Sequence, residues 1–546
     1  MLSVVPSISS AAPNPNDIKA NSSCKKVGQK ILQVQKDTQL ICTKKKGKLI
    51  WAASVIKKVA ANEIIRGGIL KVGADLDPSG LDPTTTNAFA SWDFTALMFN
   101  GLLRFDNTGK IQPDLAVSYE QPSSTEYVFK LRSGVTFHNG NAFTAEDVKY
   151  TFERRLDPKV ASPSRASFSS IDAITVIDPL TVKFKLKSVD AAFLSFVANN
   201  PDGLIVPKGV ENINTNPVGT GPFVFKSYTP NLDLQMVANK NYYEKGLPYL
   251  DGATFLFFKD QSSLVAALRS KSIDMTWLKD PKVAKATAES DVNIISAPGQ
   301  YTRTFPVWLK NSKAPFNDVR VRQALSLATD RKTTADVVLA GTGKVTGAIP
   351  MSMIGGYTGD GSDLPNYKYD VEKAKKLLTA AGYPDGIDLG DYKVVAANPL
   401  DVQAAQLLKQ QWAKAGIIVN IKPMEVPPLI ADYNSGNFTI LSVALAFSSD
   451  PDAIVNRMKS TTDLGKAFGM SDKALDELIS DARAEVNPKQ RGADYLEIQQ
   501  MIARQAYALH IYQYPLRWEM WRKNVNGYLA TPANSRQYLR TAWFGK

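Results

Sequence analysis

Apolar positions in this chain recur with two different periods, and the places where the period changes mark its elements. After Asp318, the residues Val321, Ala324, Leu325 and Ala328 fall at i, i+3, i+4 and i+7, the stripe of an amphipathic helix with Asp318 as its cap. Asp370 opens a second predicted helix over residues 371–381, closed by Gly382, which can take the left-handed conformation that ends a helix. A third covers residues 402–415, stops at Gly416 and leads into a strand over 417–422; Ser471 is the expected cap of a fourth, over 473–484. Short apolar runs of strand length stand at 68–73, 224–228 and 440–447, the last being the longest and containing Ser442. None approaches the roughly 20 residues of a membrane helix. The alternation of strand and helix predicts an α/β body from about residue 67 onward.

Residues 134–155 carry more specific information. They read as a short strand, a turn at Asn139–Gly140, and a helix opened by a capping box in which Thr144 is the cap and Asp147 reaches back to its amide. Val148 and Phe152 then share one helical face. As a string, Gly134-Val135-x-Phe137-His138-x-Gly140-x-x-Phe143-x-Ala145-x-Asp147-Val148 resembles the signature of the family 5 extracytoplasmic solute-binding proteins, the peptide, nickel and opine receptors of ABC importers. Leu81-Asp82-Pro83, Gly101-Leu102-Leu103, and the Gly219-Thr220-Gly221-Pro222 element resemble the same family, as do the stretches 314–325 and 369–383. Gly219-Thr220-Gly221 is not a phosphate loop, because no Gly-Lys-Ser/Thr follows and Pro222 has no amide to donate; Gly341-Thr342-Gly343-Lys344 fails likewise.

The resemblance implies a two-lobed α/β fold of the periplasmic-binding-protein type (type II, cluster C-like), its lobes joined by two hinge strands and its ligand enclosed between them. The expected division is a residual signal region at 1–20, a basic module at 21–53, a linker at 54–66, lobe one at 67–297, lobe two at 298–511, and a return to lobe one at 512–546. Crossings are expected near 296–305 and 508–515. The implied activity is recognition by closure, with an ABC permease as partner, a monomer as the working form, and no catalytic group or cofactor.

Charge changes the picture at one end only. The net charge is +13, yet residues 1–66 hold 12 basic and 3 acidic side chains, leaving 53 basic and 49 acidic in the rest. So nearly balanced a body argues against nucleic acid as a partner. The basic arm suits an anionic wall polymer or lipid surface at about 1 kcal/mol per charge near it, or serves only solubility. Both cysteines, Cys24 and Cys42, lie in this arm, where alternating apolar residues suggest a hairpin. A disulfide between them closes a loop worth roughly 3 kcal/mol and places the protein in an oxidising, extracytoplasmic compartment. The arm resembles a small Cys-stapled module that precedes secreted domains. Residues 1–12 lack a basic start and are broken by Pro6, so they form no complete signal peptide, although Ser10-Ala11-Ala12 looks like the tail of one.

In the peptide-binding branches, the resemblance places an ammonium-anchoring acid three residues before an Asp-Pro. Here Asp450-Pro451 puts Phe447 at that position, which forms no ion pair. Phe447 is therefore expected to form an apolar wall, or the end of a core strand, and Ser448 beside it is a candidate ligand contact. Asp450 is a candidate for a cationic ligand or a turn-forming cap. Trp277, Tyr301 and Trp308 are candidate aromatic contacts, Arg303 a candidate for a ligand carboxylate, and Ser91 and Trp92 follow the first cleft-crossing segment. Only His138 and His510 are available as imidazoles, a poor shell for nickel. No Gly-x-Ser-x-Gly or His-Glu-x-x-His motif appears, so an enzyme would have to be a carboxylate-dependent hydrolase. A wall-bound adhesin is the other rival. An oligopeptide or similar small organic solute is the leading ligand class, an oligosaccharide the runner-up.

Overall fold

A computed structural model of the chain describes residues 30–33, 38–45, 48–55, 64–86, 89–288, 291–295, 303–443, 450–515, 517–530 and 536–545. It divides into two compact units, residues 1–65 and 66–546. In the first, strands Lys30–Gln33, Thr38–Lys45 and Lys48–Val55 form an antiparallel meander. The expected hairpin is thus present and a third strand extends it. The Cys24–Cys42 pairing lies outside the described residues and side chains.

The larger unit is built on three sheets. A seven-stranded sheet runs Phe223–Thr229, Asp233–Ala238, Gly252–Phe257, Ile69–Ala74, Met275–Leu278, Trp518–Arg522 and Val292–Ile295 in spatial order. Its three central strands, Gly252–Phe257, Ile69–Ala74 and Met275–Leu278, are parallel. Beside it lies an antiparallel four-stranded sheet formed by Ala116–Ser123, Glu126–Leu131, Thr181–Leu186 and Ile171–Asp178. A six-stranded sheet in the order Lys344–Val345, Ala508–Tyr514, Arg303–Leu309, Ile440–Ser442, Ile387–Val395 and Ile417–Met424 forms the second lobe. The chain passes from the seven-stranded to the six-stranded sheet between Ile295 and Arg303, and back between Tyr514 and Trp518. The second passage falls later than residue 511. Tyr512 and Tyr514 still pair with Phe305 and Arg303, and Tyr512 stacks on Phe305 at 5.2 Å.

The family signature does its structural work here. The Asp147 carboxylate accepts from the Thr144 amide at 2.9 Å and from its hydroxyl at 3.1 Å, and the helix runs Ala145–Leu156. The expected strand before it shrinks to a single Thr136–Ala142 bridge. His138 joins this turn to the glycine element. Its amide donates to the Gly219 carbonyl at 2.8 Å, its Nδ1 accepts from the Gly219 amide at 3.3 Å, and its Nε2 lies 3.0 Å from the Gly221 carbonyl. Burial pushes its pKa down to about 4, so the ring is neutral. A Cβ on Gly219 would lie 2.1 Å from the Met98 carbonyl, and one on Gly221 2.4 Å from that of Leu97, which is why side chains are excluded from this close approach.

The later helices follow their punctuation with two shifts. Asp318 and Asp370 accept from Arg320 and Lys373 amides as caps, and Gly382 takes φ +96°. The cap of Lys473–Ala484 is Asp472 rather than Ser471, because the Asp472 carboxylate reaches both the Ala474 and Leu475 amides. The helix expected from 402 begins at Pro399, whose fixed φ suits a first helical position. That earlier start brings Asp401 into its first turn.

Candidate functional site

Parallel strands present their carboxyl ends at one edge of each large sheet, the place where α/β folds form ligand crevices. In the first lobe, Ile69–Ala74 and Met275–Leu278 end side by side, and the residues that follow, Asp75 and Lys279, form an ion pair at 2.9 Å. Trp277 is buried there between two cations: the Lys279 ammonium and the Arg517 guanidinium each lie 5.5 Å from its ring centroid. Arg517 is itself fully buried and grips Asp93 with three contacts of 2.8–3.1 Å. Arg536 adds a bond from Nε to Asp93 at 3.0 Å. Burial pushes the Asp93 carboxyl up, but Arg517 and Arg536 more than offset it and hold it below the usual carboxylate range. Asp93 lies on helix Phe89–Met98 together with Ser91 and Trp92. Both are buried: the Ser91 hydroxyl is 3.3 Å from that of Ser79, and the Trp92 carbonyl accepts from Asn200.

In the second lobe, the matching edge is formed by the end of Ile387–Val395, the start of Arg303–Leu309 and the end of Ala508–Tyr514. Arg303 is half-buried, with its guanidinium carbon 5.7 Å from the Tyr514 ring centroid. Residues 396–398 lead into helix Pro399–Ala413, which carries Asp401 at this edge. Asp401 is fully buried and neither carboxylate oxygen makes a hydrogen bond of good geometry. Burial pushes its carboxyl up to about 6, against the pull of Arg303, Asn398 and Lys279. Lys279 belongs to the first lobe, so the electrostatic surroundings of Asp401 span the two halves.

A separate contact closes the molecule on another side. Arg483, on helix Lys473–Ala484, donates to Asp190 at 2.7 Å and to Asp452 at 3.1 Å, and its carbonyl accepts from the Ala191 amide at 2.9 Å. Asp190 follows the four-stranded sheet, whereas Asp452 belongs to the second lobe, so one side chain bridges both.

The candidate residues read from sequence divide clearly. Ser91, Trp92, Trp277 and Arg303 come to the facing edges. Trp308 instead sits in the core of the second lobe, stacked on Phe468 at 5.0 Å and edge-on to Tyr433 and His510. Asp450 is engaged by Arg491 through two bonds of 2.9 Å and accepts from the Asp452 amide, so its cation is already supplied by the protein. Tyr301, Phe447 and Ser448 lie outside the described residues. The imidazoles stand apart, His138 in the first lobe and His510 buried beneath Trp308 in the second. Asp401 was not singled out by sequence. An acid in the first turn of a helix is common as a dipole partner, and the Asn398-Pro399 start was its only signal.

Comparison with known proteins places this geometry. Residues 110–466 match the family model described as bacterial extracellular solute-binding proteins, family 5 Middle. The chain is 28% identical over 508 residues to the di/tripeptide-binding protein 2 of Pseudomonas aeruginosa, covering 86% of this chain and 94% of that protein. It is 27% identical over 491 residues to heme-binding protein A of Haemophilus influenzae, covering 83% and 88%. The solved structure of the Bacillus subtilis oligopeptide-binding protein AppA in complex with a nonapeptide superposes with a TM-score of 0.77 at 25% identity, over 88% of this chain and all of that one. A two-lobed α/β receptor fold and a family match over well more than half the sequence lead to one conclusion: this chain belongs to the family 5 bacterial extracellular solute-binding proteins.

Proposed function

We propose that this protein is the solute-capturing component of an ABC importer and takes a peptide or similar small organic solute between its lobes. The observation that carries the reading is the facing pair of strand-end edges, with Trp277 and Lys279 on one side and Arg303 and Asp401 on the other. A solute touching both edges favours the closed arrangement, which a permease can distinguish from the open one. Relatives named for di/tripeptides and oligopeptides support a peptide. Ser91 and Trp92 are proposed to back the first-lobe wall, with Tyr301, Phe447 and Ser448 completing the enclosure.

A thermal-shift screen against peptide and glycan pools tests this, since a ligand at 100 times Kd adds about 2.7 kcal/mol of stability. Peptides are expected to raise the melting temperature; a rise with glycans alone refutes the peptide assignment. The finer features follow from the same reading. They are an extracytoplasmic site of action, a disulfide between Cys24 and Cys42, and a basic arm that holds an anionic surface. Removing residues 1–60 is expected to abolish adhesion to anionic vesicles while leaving solute capture intact.

A further inference from the structure

The seam where Arg483 joins the two lobes holds more negative charge than positive. Asp190 reaches it from the half containing the four-stranded sheet, which Arg104 ties to the seven-stranded one through Asp114 at 2.9 Å and Glu244 at 2.7 Å. Asp450 and Asp452 reach it from the second lobe, with Arg483 and Arg491 on helices Lys473–Ala484 and Pro488–Gln505. All three carboxylates are at most 2% exposed. Arg483 bonds Asp190 at 2.7 Å and Asp452 at 3.1 Å, and Arg491 holds Asp450. Arg457, on the turn after Asp452, donates to the Ala453 carbonyl at 2.9 Å. Among the described residues, the guanidiniums bonded to these three carboxylates therefore number one fewer than the carboxylates.

The imbalance belongs to the contact between the lobes. Within the second lobe, Arg483 answers Asp452 and Arg491 answers Asp450, one cation to each acid. Bringing the lobes together adds Asp190 and excludes water. Ala453 packs on the core of the four-stranded sheet, the Ala191 amide donates to the Arg483 carbonyl, and the Phe196 ring lies 5.8 Å from the guanidinium carbon. Asp190 is well bonded, by the Ser170 hydroxyl at 2.6 Å and the Ala192 amide at 3.1 Å. On Asp452, by contrast, Oδ2 takes Arg483 while Oδ1 is buried with no hydrogen bond. Burying an excess negative charge is unfavourable, and a proton on that oxygen removes it. Burial pushes the Asp452 carboxyl up to about 6, with Asp450 and Asp190 adding to the rise and Arg483 and Arg491 opposing it.

We propose that the lobes of this protein close with uptake of a proton on Asp452, so that acidification favours the closed arrangement. The device is the pair Asp190 and Asp452, which share Arg483 across the seam. The proton comes from solvent and sits on Oδ1, leaving Oδ2 on Arg483. When the lobes part, Asp190 leaves and Asp452 is hydrated beside Arg483, with its carboxyl at or below the ordinary 3.8. Closure raises that value, so the closed form gains as pH falls through about 6 and levels off below 3.8. Between pH 7.5 and pH 5 the ratio of closed to open forms is expected to rise about 10-fold. The coupling acts whatever solute fills the cleft.

The test is small-angle scattering from the full chain without added solute, at about pH 5 and about pH 7.5, on the wild type, Asp452→Asn and Asp190→Asn. The wild type is expected to show the smaller radius of gyration at the lower pH. Asp452→Asn is neutral at every pH and is expected to keep one compact radius at both. Asp190→Asn removes the excess charge from the opposite lobe and is expected to lose the pH response as well. Asp452→Ser carries the same expectation should the asparagine variant fail to fold. An unchanged radius in the wild type, or a smaller one at the higher pH, overturns the proposal. So does a pH response that persists in either variant, because the proton would then bind elsewhere. Since no solute is present, such a failure leaves solute capture standing.

Discussion

Asp93 and Asp401 occupy comparable places in the two lobes, each buried on a helix that opens at the edge facing the other half, and they are held in opposite ways. Asp93 is clasped by Arg517 and Arg536, which bring its carboxyl below the ordinary range. Asp401 has no arginine or lysine bonded to it, and burial raises its carboxyl to about 6 against the weaker pull of Arg303, Asn398 and Lys279. Burial alone therefore does not set the charge state of a carboxylate; the completeness of its bonding does. An acid whose counter-ions are built into the chain stabilises the fold in every state. One whose cations stand off at a distance pays for its burial and stabilises the fold least when ionised.

The strongest way to break this contrast is to remove the satisfied acid. Asp93→Asn removes the carboxylate shared by two buried guanidiniums, leaving Arg517 with Glu519 at 3.6 Å, and is expected to cost about 3–5 kcal/mol, read as a lower urea-unfolding midpoint. A loss below about 1 kcal/mol, the range of an exposed pair, would mean that Arg517 and Arg536 find other partners. The bridge between the lobes comes next. Arg483→Ala leaves Asp190 and Asp452 without their shared cation and is expected to disfavour the closed arrangement by about 2–5 kcal/mol. Small-angle scattering should then show a larger radius of gyration at equal ligand concentration.

The titration of Asp401 sharpens the comparison further. Arg303, Lys279, Tyr392, Tyr512 and Tyr514 face it. Its pKa is raised above that of the unfolded chain, so its protonated form favours folding. That contribution is complete below about pH 4 and lost as pH rises through about 6. Relative to Asp401→Asn, the ligand-free wild type should lose about 2–3 kcal/mol between those limits, at 1.36 kcal/mol per pKa unit. A flat difference across that window would show the carboxylate to be satisfied after all. The smallest effect compares two caps. Asp370→Ala, which removes a bond to the Lys373 amide, should cost about 1 kcal/mol. Asn398→Ala removes no capping bond and should cost under about 0.5 kcal/mol in the empty protein.

Local patterns carried most of the fold, because capping and turn chemistry act within a few residues. The Thr144–Asp147 box, the Asp318 and Asp370 caps and the turn at Gly382 were all legible from spacing. Ser471 and Asp472 were interchangeable as caps until the backbone selected the residue whose carboxylate reached two amides. The site was legible only in part. Trp277 was singled out as the end of a strand and Arg303 as a neighbour of a crossing, and both lie at strand ends, whereas Trp308 could not be told from a cleft aromatic, since core and ligand walls use the same side chains. Asp450 and Asp401 look alike as letters. What distinguishes them is that Arg491 grips the first through two bonds, 41 positions away, whereas no arginine or lysine hydrogen-bonds the second.

Strand Trp518–Arg522 lies between Met275–Leu278 and Val292–Ile295, and among the described residues the latter pairs with no other strand of its sheet. The first lobe is therefore begun early in synthesis and finished almost last, when the final segment threads back to supply both that strand and the arginines that clasp Asp93. A growing chain lacking its last 30 residues or so holds an unfinished sheet. Such non-local closure is slow. The last segment made is therefore the one on which completion of the first lobe waits.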